Sequence, residues 1–365
     1  MNYFYVKNFI KISLLILLNS YSLSQGFWGK EFPEGKIKYS PRKYICYKAK
    51  NVVILDGKIK EEAWENVPWT DSFVDIEGNL KPDPYYDTKV KMLWDENYFY
   101  FAALLEEPHV WATITERDEV IFKDNDFEIF LDPDGDTHNY YELEVNALET
   151  EWDLFLLKPY HDDEKVVLDS WDIPGLITKV HVDGTINDPT NIDKNWSVEI
   201  AIPWKTFISN YRSNTYPKEG EQWKVNFSRV HWETEIIDGK YVKTNTPEYN
   251  WVWSPQGIIY MHMPDLWGLV QFTEFTSDEK KVTFVDDNID LIKWSLRQLY
   301  YRQRNYYYKN DKYTASIASL KIRKAPTKNV PWPPKIVLTP SGWEASLKYR
   351  DQQIIIRKDG RVWIE

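Results

Sequence analysis

Apolar and polar side chains alternate through the middle of the chain. From Thr88 to Trp94, Val90, Met92 and Trp94 fall on one face and Lys89 and Lys91 on the other, the period-two signature of a half-buried strand. Asp95-Glu96-Asn97 supplies a turn, and residues 98–105 return as a strand apolar on both faces, which places it near the middle of a sheet. Residues 126–131 and 140–147 predict a second hairpin around Asp132-Pro133-Asp134-Gly135-Asp136. Further strands are predicted at 152–157, 176–182, 196–202, 223–230 and 268–272, with Pro203 opening a short helix over 203–207. Short strands separated by Gly, Asp, Asn and Pro turns, without strand–helix alternation, predict a mainly β domain, a sandwich or a barrel.

The pattern changes after Thr276. Asp286-Asp287-Asn288 can cap a helix over 289–308, with Leu291, Trp294, Leu296, Leu299, Tyr301 and Tyr306 as its apolar stripe and Arg297, Arg302 and Arg304 making the rest basic. A shorter helix is expected over 314–320. Pro326, Pro331, Pro333 and Pro334 then break the chain, and residues 335–338, 343–348, 352–356 and 361–363 read as a small β-meander closed by Asp359-Gly360. At the other end, Lys7 and Lys11 precede the apolar run Ile12 to Leu18, followed by Ser20, Ser22, Ser24 and Gln25-Gly26. These are the parts of a secretory signal peptide, too short to span a bilayer. The expected organisation is a signal peptide over 1–25, an irregular arm over 26–50, a sandwich over 51–276 and an accessory helix plus meander over 277–365. The protein is expected to be exported to the periplasm or the exterior, without a transmembrane segment.

Charge and cysteine usage narrow the partners. A net charge of −11 argues against nucleic acid. The single cysteine, Cys46, permits no internal disulfide, and a chain this long can bury a core without one. Trp 18, Tyr 25 and Phe 16 leave rings to spare for half-exposed platforms of the kind on which a sugar stacks its C–H face.

Two acidic features carry candidate chemistry. On the second hairpin Tyr141, Leu143 and Val145 must face the core, so Glu142, Glu144 and Asn146 face the other way, beside Asp126 and Glu128. Either that face is open to water, or it lines a cleft whose ligand, a sugar or a cation, offers what the carboxylates lack. The loop Asp132, Asp134 and Asp136 presents alternate carboxylates that suit Ca²⁺ in a structural role, or form a plain acidic turn. Its spacing departs from an EF-hand: glycine comes one residue early and Leu143 occupies the closing glutamate position.

Several motifs together resemble a known family. They are Leu55-Asp56-Gly57-Lys58 with Ala63-Trp64, Trp94-Asp95-Glu96-Asn97-Tyr98-Phe99-Tyr100, Asn125-Asp126-Phe127-Glu128-Ile129-Phe130-Leu131-Asp132, Trp196-Ser197-Val198-Glu199-Ile200-Ala201-Ile202-Pro203-Trp204, and Trp267-Gly268. In this order they resemble the family 9 carbohydrate-binding modules, relatives of the DOMON-type sandwiches, over roughly residues 50–275. The resemblance implies a jelly-roll-like β-sandwich, bound calcium, and a terminal sugar clamped between two aromatic rings. Carried over residue by residue, one ring platform falls at Phe122 and the second at Tyr260-Met261. The hydroxyl-binding glutamate falls at Glu128 and the asparagine at Asn146. Where the family has an arginine, this chain has Glu144, which reverses the charge at the sugar. Arg229, Trp232, Trp251 and Trp253 are candidates to rebuild the pocket.

No Gly-x-Ser-x-Gly elbow, phosphate loop, His-Glu-x-x-His or Cys–His pairing is present. The resulting expectation is a non-catalytic carbohydrate-binding protein acting beside separate glycan-degrading enzymes. Two alternatives stay open: a glycoside hydrolase using Glu128 and Glu144 as paired carboxylates, or a haem-binding DOMON-type domain using Met261-His262-Met263 with His109, His138 or His231.

Overall fold

Strands form where the side chains alternate, and they assemble into two facing sheets. The computed structural model describes residue 32 and residues 35–162, 166–208 and 216–365; the predicted signal peptide lies outside the described residues. One compact unit comprises residues 35–159 and 166–288. Its first sheet contains β3 (Thr88–Trp94), β4 (Tyr98–Glu106), β10 (Asn195–Pro203) and β9 (Ile177–Asp183), antiparallel in that order. Its second contains β8 (Val167–Leu168), β7 (Glu151–Leu156), β6 (Tyr140–Asn146), β5 (Asp126–Asp132), β11 (Gln222–His231) and β15 (Gly268–Phe272). β14 (Tyr249–Val252) pairs with β11, and β2 (Val74–Asp75) pairs with β14.

The stretch 43–48, expected to be irregular, is instead strand β1 (Lys43–Lys48), and it joins the two sheets. Lys43 to Cys46 run parallel to β15, while Tyr47 and Lys48 run parallel to β3. Its alternation is weak, because Cys46 and Tyr47 are both buried and each faces a different layer. A core lies between the sheets: Met92, Phe101 and Ile200 from the first meet Phe127, Leu143, Phe227 and Val270 from the second. The expected mainly β sandwich is therefore present. The short helix after Pro203 is α1 (Lys205–Ile208).

Two glycines of the resemblance motifs have packing reasons. A Cβ on Gly268 would lie 2.4 Å from the Trp253 ring, and one on Gly57, whose φ is +84°, would lie 2.7 Å from the Val180 backbone. The strand pair β12 (Thr234–Ile237) and β13 (Lys240–Lys243) was missed, although Asp238-Gly239, both at positive φ, is a hairpin signal.

A second unit comprises residues 289–365 with, among the described residues, Phe32 and residues 160–162. Its helix α2 (Asn288–Asn310) buries Ile292, Leu296, Leu299 and Tyr300. Arg297, expected on the basic outer side, is fully buried and donates to the Gly360 carbonyl at 2.9 Å, with Asp162 3.8 Å away. The expected helix over 314–320 does not form; Thr314 Oγ1 and Ser316 Oγ accept from the Ser316 and Ser319 amides and turn the chain locally. The meander forms as β16 (Lys335–Thr339), β17 (Gly342–Tyr349), β18 (Gln352–Arg357) and β19 (Val362–Ile364).

In the sandwich, Glu199 of β10 holds the opening loop. Its carboxylate accepts the Asp56 amide at 2.9 Å, the Gly57 amide at 2.7 Å and the Trp64 indole at 2.7 Å. Glu199→Ala leaves those donors without a buried acceptor. It should lower the unfolding free energy by about 3 kcal/mol, read as a fall in the urea midpoint at unchanged slope. An unmoved midpoint would remove the carboxylate from this anchoring role.

Candidate functional site

The hairpin β5–β6 presents its polar set on the face away from the core. In register, Asp126 stands opposite Asn146, Glu128 opposite Glu144, and Phe130 opposite Glu142; on the other side Ser228 of β11 stands opposite Glu128. The face is not open to water: Asp126 and Asn146 are 0% exposed, Glu144 2%, Glu142 4% and Glu128 5%. Of the two readings left open by the sequence, the solvated one is thereby excluded.

Burial and mutual repulsion move these carboxyls together. Burial pushes Glu128 up to about 7, tempered by the neighbouring Ser228 side chain. Asp126 and Glu144 are held well above the usual carboxylate range by burial and then by the charge of Glu128. Glu142 is raised in the same way.

Phe122 sits at the edge of this face, in the turn before β5, with 39% of its surface exposed. Its amide donates to Glu144 Oε2 at 3.0 Å, so ring and carboxylate are tied by one hydrogen bond. Trp232 lies beside it, its indole donating to the Phe122 carbonyl at 2.9 Å, with the Lys243 ammonium 4.0 Å over its ring. At the other end, His262 Nε2 is 4.0 Å from Glu142, and Tyr260 packs at a tilt against the His262 ring. Glu144 and Glu142 are two residues apart along β6, about 7 Å, so Phe122 and the 260–262 segment flank a short acidic row.

Other expected site residues are occupied differently. Asn146 was expected to bind sugar hydroxyls, but its amide nitrogen donates to the Ile114 carbonyl and to Asp124, and its oxygen accepts the Leu148 and Thr150 amides. All four hydrogen-bonding positions are used, which makes Asn146 an anchor for the loops beside the site. Met261 is half-buried against Phe130, Tyr140, Leu154 and Trp267, and its carbonyl accepts the Trp267 indole at 2.9 Å. Among the residues proposed to rebuild the pocket, Arg229 is fully buried and paired with Glu107 at 2.8 Å between the Tyr86 and Trp251 rings. Trp251 stacks on His231 and Trp253 packs in the core. Trp232 alone of the four adjoins Phe122. Trp152 of β7, read only as a strand start, stands opposite Glu144 and is half-buried.

The acidic loop coils on itself. Asp132 accepts the Gly135 and Thr137 amides at 3.0 and 2.9 Å, and Asp136 accepts the His138 amide at 2.7 Å. One oxygen each of Asp132, Asp134 and Asp136 lies within 4.8 Å of the others, a spacing that suits a hard cation. The histidines named for haem have protein contacts: His109 with Tyr241, His138 with Thr137, His231 with Glu107, and His262 with Tyr140. Burial lowers His262 to about 3.

Residues 54–220 match the family model described as "Carbohydrate family 9 binding domain-like". That stretch is similar to the carbohydrate family 9 binding-like domains. The family 9-like sandwich is similar to a family 9 carbohydrate-binding module from Caldicellulosiruptor kristjanssonii in complex with cellotriose, at 15% identity and a TM-score of 0.43, over 67% of this chain and 100% of that one. A family 9 carbohydrate-binding module from the same organism in complex with glucose aligns at 16% identity and a TM-score of 0.42, over 66% of this chain and 100% of that one. A stretch of 89 residues is 29% identical to endo-1,4-beta-xylanase A of Thermotoga maritima, covering 24% of this chain and 8% of the xylanase. No helix among the described residues is long and apolar enough to cross a membrane.

The raised carboxyls make stability depend on pH in a stated direction. An unfolded chain ionises them near pH 4, whereas the folded family 9-like domain keeps Glu128 protonated up to about 7. The folded state then binds more protons across that window, so stability falls as pH rises through it. In chelator, Glu128→Gln should flatten this loss and leave the variant more stable than wild type at pH 8 by on the order of 1–3 kcal/mol. Thermal melts at pH 5 and pH 8 decide it; parallel profiles would show that Glu128 is not desolvated.

Proposed function

We propose that this domain binds a mono- or oligosaccharide at the acidic row, non-catalytically, in an exported protein that works beside separate glycan-degrading enzymes. One observation carries the reading. Phe122, with its ring half-exposed, is fixed to the buried carboxylate row by the hydrogen bond its backbone N–H donates to Glu144, so an apolar platform and a polar edge form one construction. A sugar needs that pairing: its C–H face stacks on the ring while its hydroxyls donate to carboxylate oxygens. Phe122 and Trp232 supply the rings on one side and Tyr260 on the other, with Glu128 and Glu144 as acceptors. Asn146 holds the adjoining loops, and Met261 packs against the cluster that contains Phe130, Tyr140 and Trp267. Asp132, Asp134 and Asp136 are proposed to hold a structural Ca²⁺, which takes six to eight oxygens at flexible geometry.

The reading is tested by titrating soluble xylo-oligosaccharides and a panel of other glycans into the full chain, with Phe122→Ala beside it. Saturable binding to one glycan class is expected, weakened at least ten-fold by the substitution, the factor equal to 1.4 kcal/mol. No new reducing ends should appear on prolonged incubation. Binding to no glycan, or equal binding by Phe122→Ala, would overturn the site, and released sugar would favour the paired-carboxylate hydrolase instead.

A further inference from the structure

Charge is divided unevenly along the chain. Residues 289–365 hold sixteen Lys and Arg against six Asp and Glu, a formal charge of +10, while the rest of the chain carries −21. No acidic residue lies between Asp311 and Glu344, a stretch with six cations: Lys312, Lys321, Arg323, Lys324, Lys328 and Lys335. We propose that this stretch of the second unit, with the Tyr307 ring beside it, is a binding surface for a polyuronate, a polysaccharide that bears carboxylates. The surface needs nothing from the acidic row of the sandwich.

The fold presents these cations unneutralised. All six are exposed, and none forms an ion pair among the described residues. Local packing fixes the segment that carries them. Leu320 and Ile322 are buried, and Lys321 and Arg323, on either side of Ile322, stand exposed. The Trp332 indole donates to the Ile322 carbonyl at 3.0 Å and folds the proline-rich return back on the run. Gln303 of α2, fully buried, brackets Thr314: its side-chain nitrogen donates to the Thr314 carbonyl at 2.7 Å, and its oxygen accepts the Thr314 amide at 3.3 Å. Lys312 is thereby held near the end of the helix. Like charges fixed in this way raise the local potential and attract a polyanion, although the whole chain is acidic.

The surroundings choose among polyanions. Tyr307 stacks on Tyr313, the ring centroids 4.6 Å apart, and stays 41% exposed. Lys312 is the chain neighbour of Tyr313. An exposed ring plane close to an ammonium suits a sugar that lays its C–H face on the ring and pairs its carboxylate with the cation. A polyuronate carries a single carboxylate per sugar, at the ring edge, which leaves that face free. Polymers as densely charged as DNA are repelled by the −21 on the rest of the chain. A bilayer is a poor match, because no large apolar side chain between 309 and 336 is exposed and Ile292, Leu296 and Leu299 of α2 are buried. Nothing there can enter the acyl region.

Polygalacturonate is titrated into the full chain at low salt, beside dextran, polyglutamate, a single-stranded oligonucleotide and phosphatidylglycerol vesicles, the charged probes at equal charge concentration. Polygalacturonate should bind, with affinity falling several-fold between about 0.05 and about 0.3 M NaCl, and neutral dextran should not. Lys321→Glu/Arg323→Glu/Lys324→Glu should weaken binding by about ten-fold or more; if that variant does not fold, the corresponding triple Gln variant is measured in its place. Tyr307→Ala should weaken polygalacturonate several-fold. Lys60→Glu/Lys218→Glu/Lys240→Glu in the sandwich changes net charge equally and should keep full binding, as should Phe122→Ala. The sandwich's sugar reading is carried by neutral xylo-oligosaccharides, so the two sites fail separately. The proposal is overturned if polygalacturonate does not bind, or if polyglutamate, the oligonucleotide or the vesicles bind as tightly. It is equally overturned if the sandwich triple or Phe122→Ala loses as much binding as the 321–324 triple, or if Tyr307→Ala binds like wild type.

Discussion

Everything at the site follows from one constraint, the two-residue repeat of β6. Tyr141, Leu143 and Val145 are needed in the core between the sheets, and a strand cannot present Glu142, Glu144 and Asn146 anywhere but on the opposite face. The same rule puts Phe127, Ile129 and Leu131 of β5 inward and Asp126 and Glu128 outward. Register then brings the two outward sets side by side. Slipping either strand by one residue would empty the core and bury the acids at its centre, so hydrophobic packing enforces the acidic row.

That enforcement works against the local energetics. Carboxylates gathered in a buried place cost stability unless something compensates them, and the compensation inside the fold is incomplete. Asp124 is fully served, accepting the Thr113 and Ile114 amides, the Thr113 hydroxyl and the Asn146 amide. Glu199, elsewhere in the sandwich, is served by three donors. Asp118, Asp153 and Asp172 surround Arg117. Among the described residues no lysine or arginine pairs with the row of Asp126, Glu128, Glu142 and Glu144, and burial raises its pKa values. Sites that local rules would not build are where function is concentrated.

Much of this was legible in the sequence because it rests on periodicity. The hairpins β3–β4 and β5–β6, the sharing of one face by Glu128 and Glu144, and the meander β16–β19 all follow from alternation and turn residues. What was not legible depends on partners distant along the chain. Arg297 reads as one of several basic helix residues, and only Asp162, brought close by the fold, makes it a buried one. Asn146 reads as a free amide until the loop carrying Ile114 is placed over it. β1 carries no clean alternation, because its two halves belong to different sheets. The helix expected over 314–320 was lost to local hydroxyl bonds that compete with helical ones. The hairpin at Asp238-Gly239 is the exception, a local signal present in the sequence and passed over.

The substitution that most separates this chain from the pattern it resembles is glutamate at 144, where the resemblance implies arginine. An arginine beside Glu128 would neutralise the row internally and donate to sugar hydroxyls. Glu144 does neither; it adds a second acid whose charged form burial disfavours, and its Oε2 accepts from the Phe122 amide. The row therefore changes from a self-balanced donor–acceptor pair into acids alone, whose ionised forms gain from donors or positive charge that a ligand brings. Hydroxyl groups can supply donors and a divalent ion can supply charge, and the geometry has room for either logic because both require oxygens held a few ångströms apart. A buried acidic row costs stability that a neutral one does not, so anything that binds this face in the folded state alone would also stabilise the sandwich.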